Sequence, residues 1–123
     1  AKSLWERLLP AVEALIEANR RAGTTSRLPV EYGLAEEEPE TGHLIVQLTG
    51  SKSQPGTRPL PLEGRYWDTD GHAVFLIAFR DPAGQIVELE LYRLDRQPID
   101  KIPSAADLDI SETKPGYYDS ART

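Results

Sequence analysis

The residues best suited to chemistry in this sequence lie together between Arg65 and His72, in the stretch RYWDTDGH. Asp68 and Asp70 are carboxylates, His72 is an imidazole, and Gly71 permits a sharp turn of the backbone between them. Such a set could form a metal-binding loop, a catalytic cluster or the turn of a β-hairpin. The spacing of these residues and the elements around them distinguish the three possibilities.

A calcium loop of the EF-hand type requires oxygen ligands at its first, third, fifth and twelfth positions and glycine at its sixth. Placing Gly71 sixth puts Asp70 and Asp68 at suitable positions, but Tyr66 then stands first and Ile77 twelfth. Neither of these two can be the required ligand, and the flanking residues predict strands where the motif needs helices. Asp70-Gly71 is therefore predicted to be a hairpin turn, since glycine adopts positive φ at little cost.

Zinc, nucleophilic and nucleotide sites have no motif in the sequence. There are two histidines, His43 and His72, which are not at the i, i+4 spacing that places two ligands on one helix face, and there is no cysteine. The Gly-x-Ser-x-Gly elbow, the phosphate loop and the glycine fingerprint of dinucleotide sites do not occur. We therefore predict no metal, no cofactor and no catalytic residue, although two histidines and an aspartate could still converge in space.

A second pair of carboxylates, Glu88 and Glu90, lies on one face of a predicted strand. Two neighbouring carboxylates can raise a pKa for acid–base chemistry when they are buried. The alternation around them predicts a water-facing side of the sheet, where arginines such as Arg65 and Arg80 would pair with them across strands. The pair is thus predicted to be structural.

Length and composition are those of one soluble domain. The 123 residues suffice for one hydrophobic core, and the absence of cysteine is typical of a reducing compartment. The longest apolar run, Ala73 to Phe79, is too short to span a bilayer, and the first residues lack a signal-peptide pattern. We expect a cytoplasmic protein with no membrane partner.

Acidic residues outnumber basic residues by 20 to 14, which gives a formal net charge of −6. This sign disfavours binding to nucleic acid phosphates and favours a basic protein partner. The acid is concentrated between Leu28 and His43, where five glutamates and no lysine or arginine occur. Such a run is either a solvated loop or part of an interface.

The amino-terminal segment predicts an amphipathic helix. Ser3 and Glu6 form a capping box, and Gly23 is the expected end of the helix. Pro10 lies inside this range, so we expect a kink or a short break there. The residues expected on the buried face recur at helical spacing: Leu4, Trp5, Leu8, Leu9, Val12, Leu15 and Ile16.

The rest of the chain predicts a β-meander with turns rich in proline and glycine. The expected fold class is α+β, with the kinked helix packed on an antiparallel sheet of about four to five strands. Residues 1–110 would form a single domain and residues 111–123 a carboxy-terminal tail. The predicted strands are Leu28–Leu34 at an edge, Gly42–Thr49, Glu63–Thr69, Ala73–Arg80 and Gln85–Leu94, with a mobile loop at Gly50–Pro61 and a short helical turn at Ser104–Asp107.

The segment from Tyr66 to Pro103 resembles small bacterial single-domain proteins of unknown function. The shared order is Asp-x-Asp-Gly, an apolar strand, Asp-x-x-Gly, a strand of alternating acidic and apolar residues, and an apolar residue before proline. Such proteins are often encoded next to toxin genes, so the resemblance implies an immunity protein, and it carries no catalytic residues with it. The matching positions are Asp68, Asp70, Gly71, Asp81, Gly84, Glu88–Asp95, Ile102 and Pro103.

We therefore expect an immunity or inhibitor protein, not an enzyme, that binds a basic cognate toxin and occludes its active site. The predicted partner-binding residues are Glu36, Glu37, Glu38, Glu40, Tyr117 and Tyr118. The weaker candidates are Trp67, Asp68 and His72.

Two other functions stay open. The first is a small hydrolase or ligand-binding domain with a pocket between helix and sheet, surrounded by Asp68, Asp70, His72 and Glu88. The second is a structural module of a larger complex.

Overall fold

The computed structural model describes residues 4–29, 35–36, 42–48 and 56–113. Its amino-terminal helix, α1, spans Leu4–Arg21 and continues through Pro10 without a break. Pro10 is exposed and removes one hydrogen bond, while the buried face on either side of it holds the helix together. Ser3 of the predicted capping box falls outside the described residues. None of the helices in the described ranges has both the length and the apolar character needed to cross a membrane.

The sheet contains β1 (Ala35–Glu36), β2 (His43–Gln47), β3 (Arg58–Pro59), β4 (Leu62–Trp67), β5 (Ala73–Arg80), β6 (Ile86–Tyr92) and β7 (Asp109–Glu112). The order across it is β1-β2-β6-β5-β4-β7, and β3 also pairs with β5. Every one of these pairings is antiparallel. The predicted α+β fold is confirmed, with slightly more strands than expected. A short 3-10 helix at Ala105–Asp107 confirms the predicted helical turn.

The short strands account for the differences from the prediction. β3 lies within the predicted loop Gly50–Pro61, so the loop prediction is wrong for its two residues, which pair with β5. β7 pairs with β4 and extends across residue 110, the predicted boundary between domain and tail. Leu28 and Pro29 lie outside any strand, because proline cannot donate to a ladder. The other residues of that predicted strand fall outside the described ranges.

The hydrophobic core lies between α1 and one face of the sheet. Every second side chain of a strand points toward α1. The apolar residues of α1, which recur at helical spacing, lie on one side of the helix and pack against these side chains. Burying one leucine or valine side chain contributes about 1.5–3 kcal/mol, so this layer is the main source of stability. The core includes Trp5, Leu8, Ala11, Val12 and Leu15 from the helix and Leu44, Val46, Tyr66, Val74, Leu76, Ala78, Leu89 and Leu91 from the sheet.

Asn19 joins the helix to the sheet through polar contacts and is fully buried. Its side-chain oxygen accepts a hydrogen bond from the backbone N–H of Leu62 at 2.9 Å. Its side-chain nitrogen donates to the carbonyl of Leu62 at 3.2 Å and to that of Leu15 at 2.9 Å. The backbone N–H and C=O of Leu62 therefore both bond a side chain of α1. In a sheet, such groups usually bond the backbone of a neighbouring strand.

The face of the sheet that points away from α1, here called the far face, is buried at its centre. Glu88 is 1% exposed and Glu90 is 0% exposed, although both lie on this face as the alternation predicts. The predicted water-facing side is therefore wrong at this point. The cross-strand neighbours of the two glutamates, Ile77 and Phe79, are buried with Tyr92 in a second cluster on the far face.

The two buried glutamates do not pair with the predicted arginines in the part of the chain that the structure describes. Glu90 Oε1 lies 2.7 Å from Nε2 of His43. Arg65 instead binds Asp109, with Nη2 3.1 Å from Oδ2. Arg80 forms no ion pair with any described residue.

Candidate functional site

Arg93 directly follows β6 and lies at the centre of a network of carboxylates. Its guanidinium nitrogens lie 3.0 Å from Asp68 Oδ2 and 2.8 Å from Asp70 Oδ2. Asp95 is held at both oxygens, at 2.6 Å by Nη2 and at 2.8 Å by Nε. The Arg93 side chain is buried, and its bonds join the β4–β5 hairpin to the chain that follows β6.

Asp68 fixes the segment after β6 through backbone amides. Its oxygens accept hydrogen bonds from the N–H groups of Thr69 and Lys101 at 2.8 Å and of Asp100 at 3.0 Å, besides the bond from Arg93. The Asp68 side chain, one of the weaker candidates for partner binding, is fully buried and does not lie at the surface. A buried carboxylate with this many donors is a structural anchor.

The pKa values of the three aspartates are all lowered. The bonds from Arg93 lower the pKa of Asp95 to about 2 and hold that of Asp70 below its usual range. Burial alone would raise the pKa of Asp68, but its backbone N–H donors and the Arg93 guanidinium outweigh burial and lower it. The bonds to Asp95 and Asp70 raise the pKa of Arg93 in turn. The three aspartates and Arg93 therefore stay charged near neutral pH, which maintains the ion pairs between them.

The turn at Asp70-Gly71 is a hairpin turn, as predicted. The N–H of Asp68 donates to the carbonyl of His72 at 2.8 Å, and the N–H of Gly71 donates to the carbonyl of Asp68 at 2.9 Å. Gly71 has a φ of 84°, a left-handed conformation that glycine adopts readily. The exposed ring of His72 lies beside the network, with Nδ1 3.3 Å from Asp70 Oδ2 and Nε2 3.7 Å from Asp95 Oδ2.

The three carboxylates converge on a guanidinium and not on a metal-binding geometry. Arg93 lies between Asp68, Asp70 and Asp95 and bonds all three. Among the residues that the structure describes, no group of three or more histidine, aspartate or glutamate side chains is arranged to hold a metal ion.

An apolar concavity of about 250 Å³ lies next to this network, at one end of the far face. Phe75 contributes an aromatic ring that stacks on Tyr92, with ring centres 5.2 Å apart. The apolar lining suits an apolar group, and the imidazole and carboxylate at its edge could bind a polar one. The lining residues are His72, Ala73, Phe75, Leu94 and Asp95.

Two large apolar side chains beside the concavity are exposed to solvent. Trp67 and Leu94 are each 53% exposed. Trp67 is the cross-strand partner of Ala73 and therefore lies on the same face. The guanidinium of Arg65 lies 4.9 Å from the centre of the Trp67 ring, a cation–π contact that restricts the ring. We call the surface formed by Trp67, His72, Ala73, Phe75 and Leu94 the hairpin patch.

The Arg93 network holds the hairpin patch in place. Leu94 lies between Arg93 and Asp95, whose side chains are bonded to each other, so its backbone is fixed on both sides. Asp70 fixes the tip of the hairpin through the same guanidinium. Exposed apolar side chains on a rigid support lose little conformational entropy when they bind. The hairpin patch is thus suited to bind an apolar group of another molecule.

No family model, no curated protein and no solved structure matches this chain. The resemblance to toxin-associated bacterial domains therefore stays a prediction, and the function is inferred from the geometry of the site.

Most residues predicted to bind a partner fall outside the described ranges. Glu36 is described only in its backbone, in β1, where it pairs with Val46. The electrostatic role of the acidic run thus stays a prediction, as does the role of the tail. The residues outside the described ranges are Glu37, Glu38, Glu40, Tyr117 and Tyr118.

The three weaker candidates lie near one another. Trp67 is exposed instead of packed in the core, His72 lines the concavity, and Asp68 is buried in the network. Leu94 could not be identified as a surface residue from the sequence, because it resembles the last apolar residue of a strand. Arg93 could not be identified either, because the partners of its side chain lie in separate segments of the chain.

Three of the four residues of the alternative pocket lie together, and the fourth does not. Asp68, Asp70 and His72 belong to one end of the sheet. Glu88 lies five residues before Arg93, which is about 16 Å along a strand at ~3.3 Å per residue. The space between helix and sheet is occupied by the apolar core.

Proposed function

We propose that this domain is a non-enzymatic inhibitor that binds a bacterial toxin domain and occludes its active site, acting in the cytoplasm as an immunity protein. The hairpin patch is its contact surface. The observation that carries the proposal is the pair of half-exposed side chains, Trp67 and Leu94, which flank an apolar concavity on a rigid support.

Trp67 has the properties of an interface anchor. Tryptophan, tyrosine and arginine supply a large share of binding energy at protein interfaces, and truncation of such an anchor costs about 2–4 kcal/mol. The contact with Arg65 orients the ring before a partner arrives. The concavity beside it offers a place for an apolar side chain of the partner.

Carboxylates at the rim of the hairpin patch favour a basic partner. The side chains of Asp70 and Asp95 are 48% and 32% exposed, and Arg93 balances only one of the three negative charges of the network. The chain as a whole carries −6. Complementary charge speeds encounter and orients the partner, and the predicted acidic run and tail tyrosines would add to it.

Co-expression with the product of the neighbouring reading frame in the native genome tests the proposal. We expect that product to arrest growth by itself and this chain to restore growth. The double variant Trp67→Ala, Leu94→Ala should weaken the complex about 100-fold or more and lose the rescue. The matched control is Ile110→Ala in β7, which truncates an apolar side chain that is 37% exposed and lies opposite Gly64.

Each part of the proposal has its own contradicting outcome. A neighbouring product that is harmless would contradict the toxin assignment. A double variant with native circular dichroism that still restores growth would contradict the assignment of the contact surface. A loss of rescue in the Ile110→Ala control would show that surface truncation in general is responsible.

A ligand-binding domain or small hydrolase is the second candidate, and the concavity beside His72 favours it. Thermal unfolding in the presence of a panel of metal ions and metabolites tests this candidate. A rise of several degrees with one compound, removed by His72→Ala, would support it over the inhibitor.

A further inference from the structure

A second concavity, of about 290 Å³, lies at the opposite end of β5 and contains two arginines. Arg58 and Arg80 are direct cross-strand partners in β3 and β5. Side chains at such positions begin about 5 Å apart on the same face of a sheet, so both guanidinium groups reach the same space. The lining residues that the structure describes are Gly56, Arg58, Arg80, Asp81 and Pro82.

These two arginines are unlike the paired arginines elsewhere in the structure. Arg65 and Arg93 bind aspartates, whereas neither Arg58 nor Arg80 forms an ion pair with a described residue. Nε of Arg80 is buried and, like Nε of Arg65, has no hydrogen-bond acceptor in the part of the chain that the structure describes, so the missing ion pair is what distinguishes Arg80 from Arg65. Like charges directly across a sheet repel each other, and a buried donor without an acceptor lowers stability.

Asp81 lines the concavity but does not neutralise it. Its Oδ1 accepts hydrogen bonds from the N–H groups of Ala83 at 3.0 Å and Gln85 at 2.9 Å, which shape the turn between β5 and β6. It forms no ion pair with Arg58 or Arg80. Among the lining residues that the structure describes, the concavity therefore contains two positive charges and one negative charge.

We propose that this concavity binds an oxyanion of the phosphate class, either free phosphate or a phosphate monoester, between Arg58 and Arg80. Guanidinium groups bond phosphate oxygens in a bidentate geometry, and a dianion relieves the repulsion between two facing cations. A phosphate bound there would also place acceptor oxygens near the buried Nε of Arg80. A monocarboxylate provides half the charge and competes with the carboxylate of Asp81, so the arrangement favours phosphate.

Titration of the full chain with inorganic phosphate, glycerol 2-phosphate and acetate at constant ionic strength tests the site. The two phosphates should raise the melting temperature and shift the NMR signal of the Arg80 Nε–H, and acetate should bind at least about ten-fold more weakly. Tighter binding of inorganic phosphate identifies the free ion as the ligand type, and tighter binding of glycerol 2-phosphate identifies a monoester. Acetate binding as tight as phosphate would overturn the assignment.

Single variants separate a binding role from a structural one. Arg58→Gln and Arg80→Gln should each weaken phosphate binding about ten-fold or more, whereas Arg7→Gln, the same change on the exposed side of α1, should not. Because Arg58 is exposed and faces a like charge, Arg58→Gln should melt at the same or a higher temperature without phosphate. Unchanged phosphate binding in Arg58→Gln, an equal loss in the Arg7→Gln control, or no phosphate response in the native chain would overturn the proposal.

Discussion

Replacing Arg93 with methionine tests whether one guanidinium holds the end of the sheet together. Methionine keeps much of the length of the side chain but removes the bonds to Asp68, Asp70 and Asp95. Breaking a buried ion pair from one side costs about 3–5 kcal/mol. The lower value, about 3 kcal/mol, applies because Asp68 keeps its backbone donors and the other two carboxylates can turn to water. For a chain of this size the melting temperature should fall by about 10–15 °C.

The same variant should also change the pH dependence of stability. The folded pKa values of Asp68, Asp70 and Asp95 lie below their unfolded values of about 3.9. The stabilisation is fully present above about pH 5 and is lost as the pH falls toward about 2, because the unfolded chain binds more protons in that window. Without Arg93 the pKa values of Asp70 and Asp95 return toward normal, so the decline should be shallower.

Urea unfolding followed by circular dichroism, at several pH values between about 7 and 3, measures both effects. Arg93→Lys keeps the positive charge but loses the planar guanidinium group. The stability of this variant should therefore lie between that of the native chain and that of Arg93→Met. Arg7→Met, on the exposed side of α1, is the matched control and should change stability by less than about 0.5 kcal/mol. A loss below about 1 kcal/mol in Arg93→Met, or an unchanged pH slope, would refute the reasoning.

Two further predictions concern backbone contacts. Asn19→Ala leaves both backbone groups of Leu62 without their partners, so the free energy of unfolding, measured in urea, should fall by about 2–3 kcal/mol. A fall below about 1 kcal/mol would contradict the role of this side chain. Gly42→Ala would place its β-carbon 2.7 Å from the Cα of Arg96 at a φ of 73°, whereas Gly71→Ala, at a φ of 84°, meets open space. Gly71→Ala should therefore cost about 1 kcal/mol and Gly42→Ala clearly more, and equal losses would contradict the close backbone approach.

The long elements of the fold could be predicted because their patterns are local. Helical spacing identifies α1, and apolar residues between turn signals predict β5 at Ala73–Arg80, the range that the structure has. β7 has no such pattern, because all four of its residues are exposed and the backbone pairing with β4 defines it. Two-residue strands such as β3 are likewise set by the neighbour they pair with.

The site was less predictable because its contacts are distant in the sequence. The alternation of β6 places Glu88 and Glu90 on the correct face, but burial of that face depends on packing that no local pattern encodes. The hairpin turn at Asp70-Gly71 is a local feature and was predicted correctly. The partner of its carboxylates is Arg93, which is 23 residues from Asp70, so only the fold brings the two together.

The bonds between Asn19 and Leu62 provide one amide proton that reports on the docking of the helix. Amide protons inside a sheet exchange with solvent when the strands separate, but the proton of Leu62 is held by a side chain of α1. Detachment of the helix alone would expose it while the centre of the sheet stays protected. If helix and sheet open as one cooperative unit, the proton of Leu62 exchanges as slowly as that of Leu76 at the centre of β5.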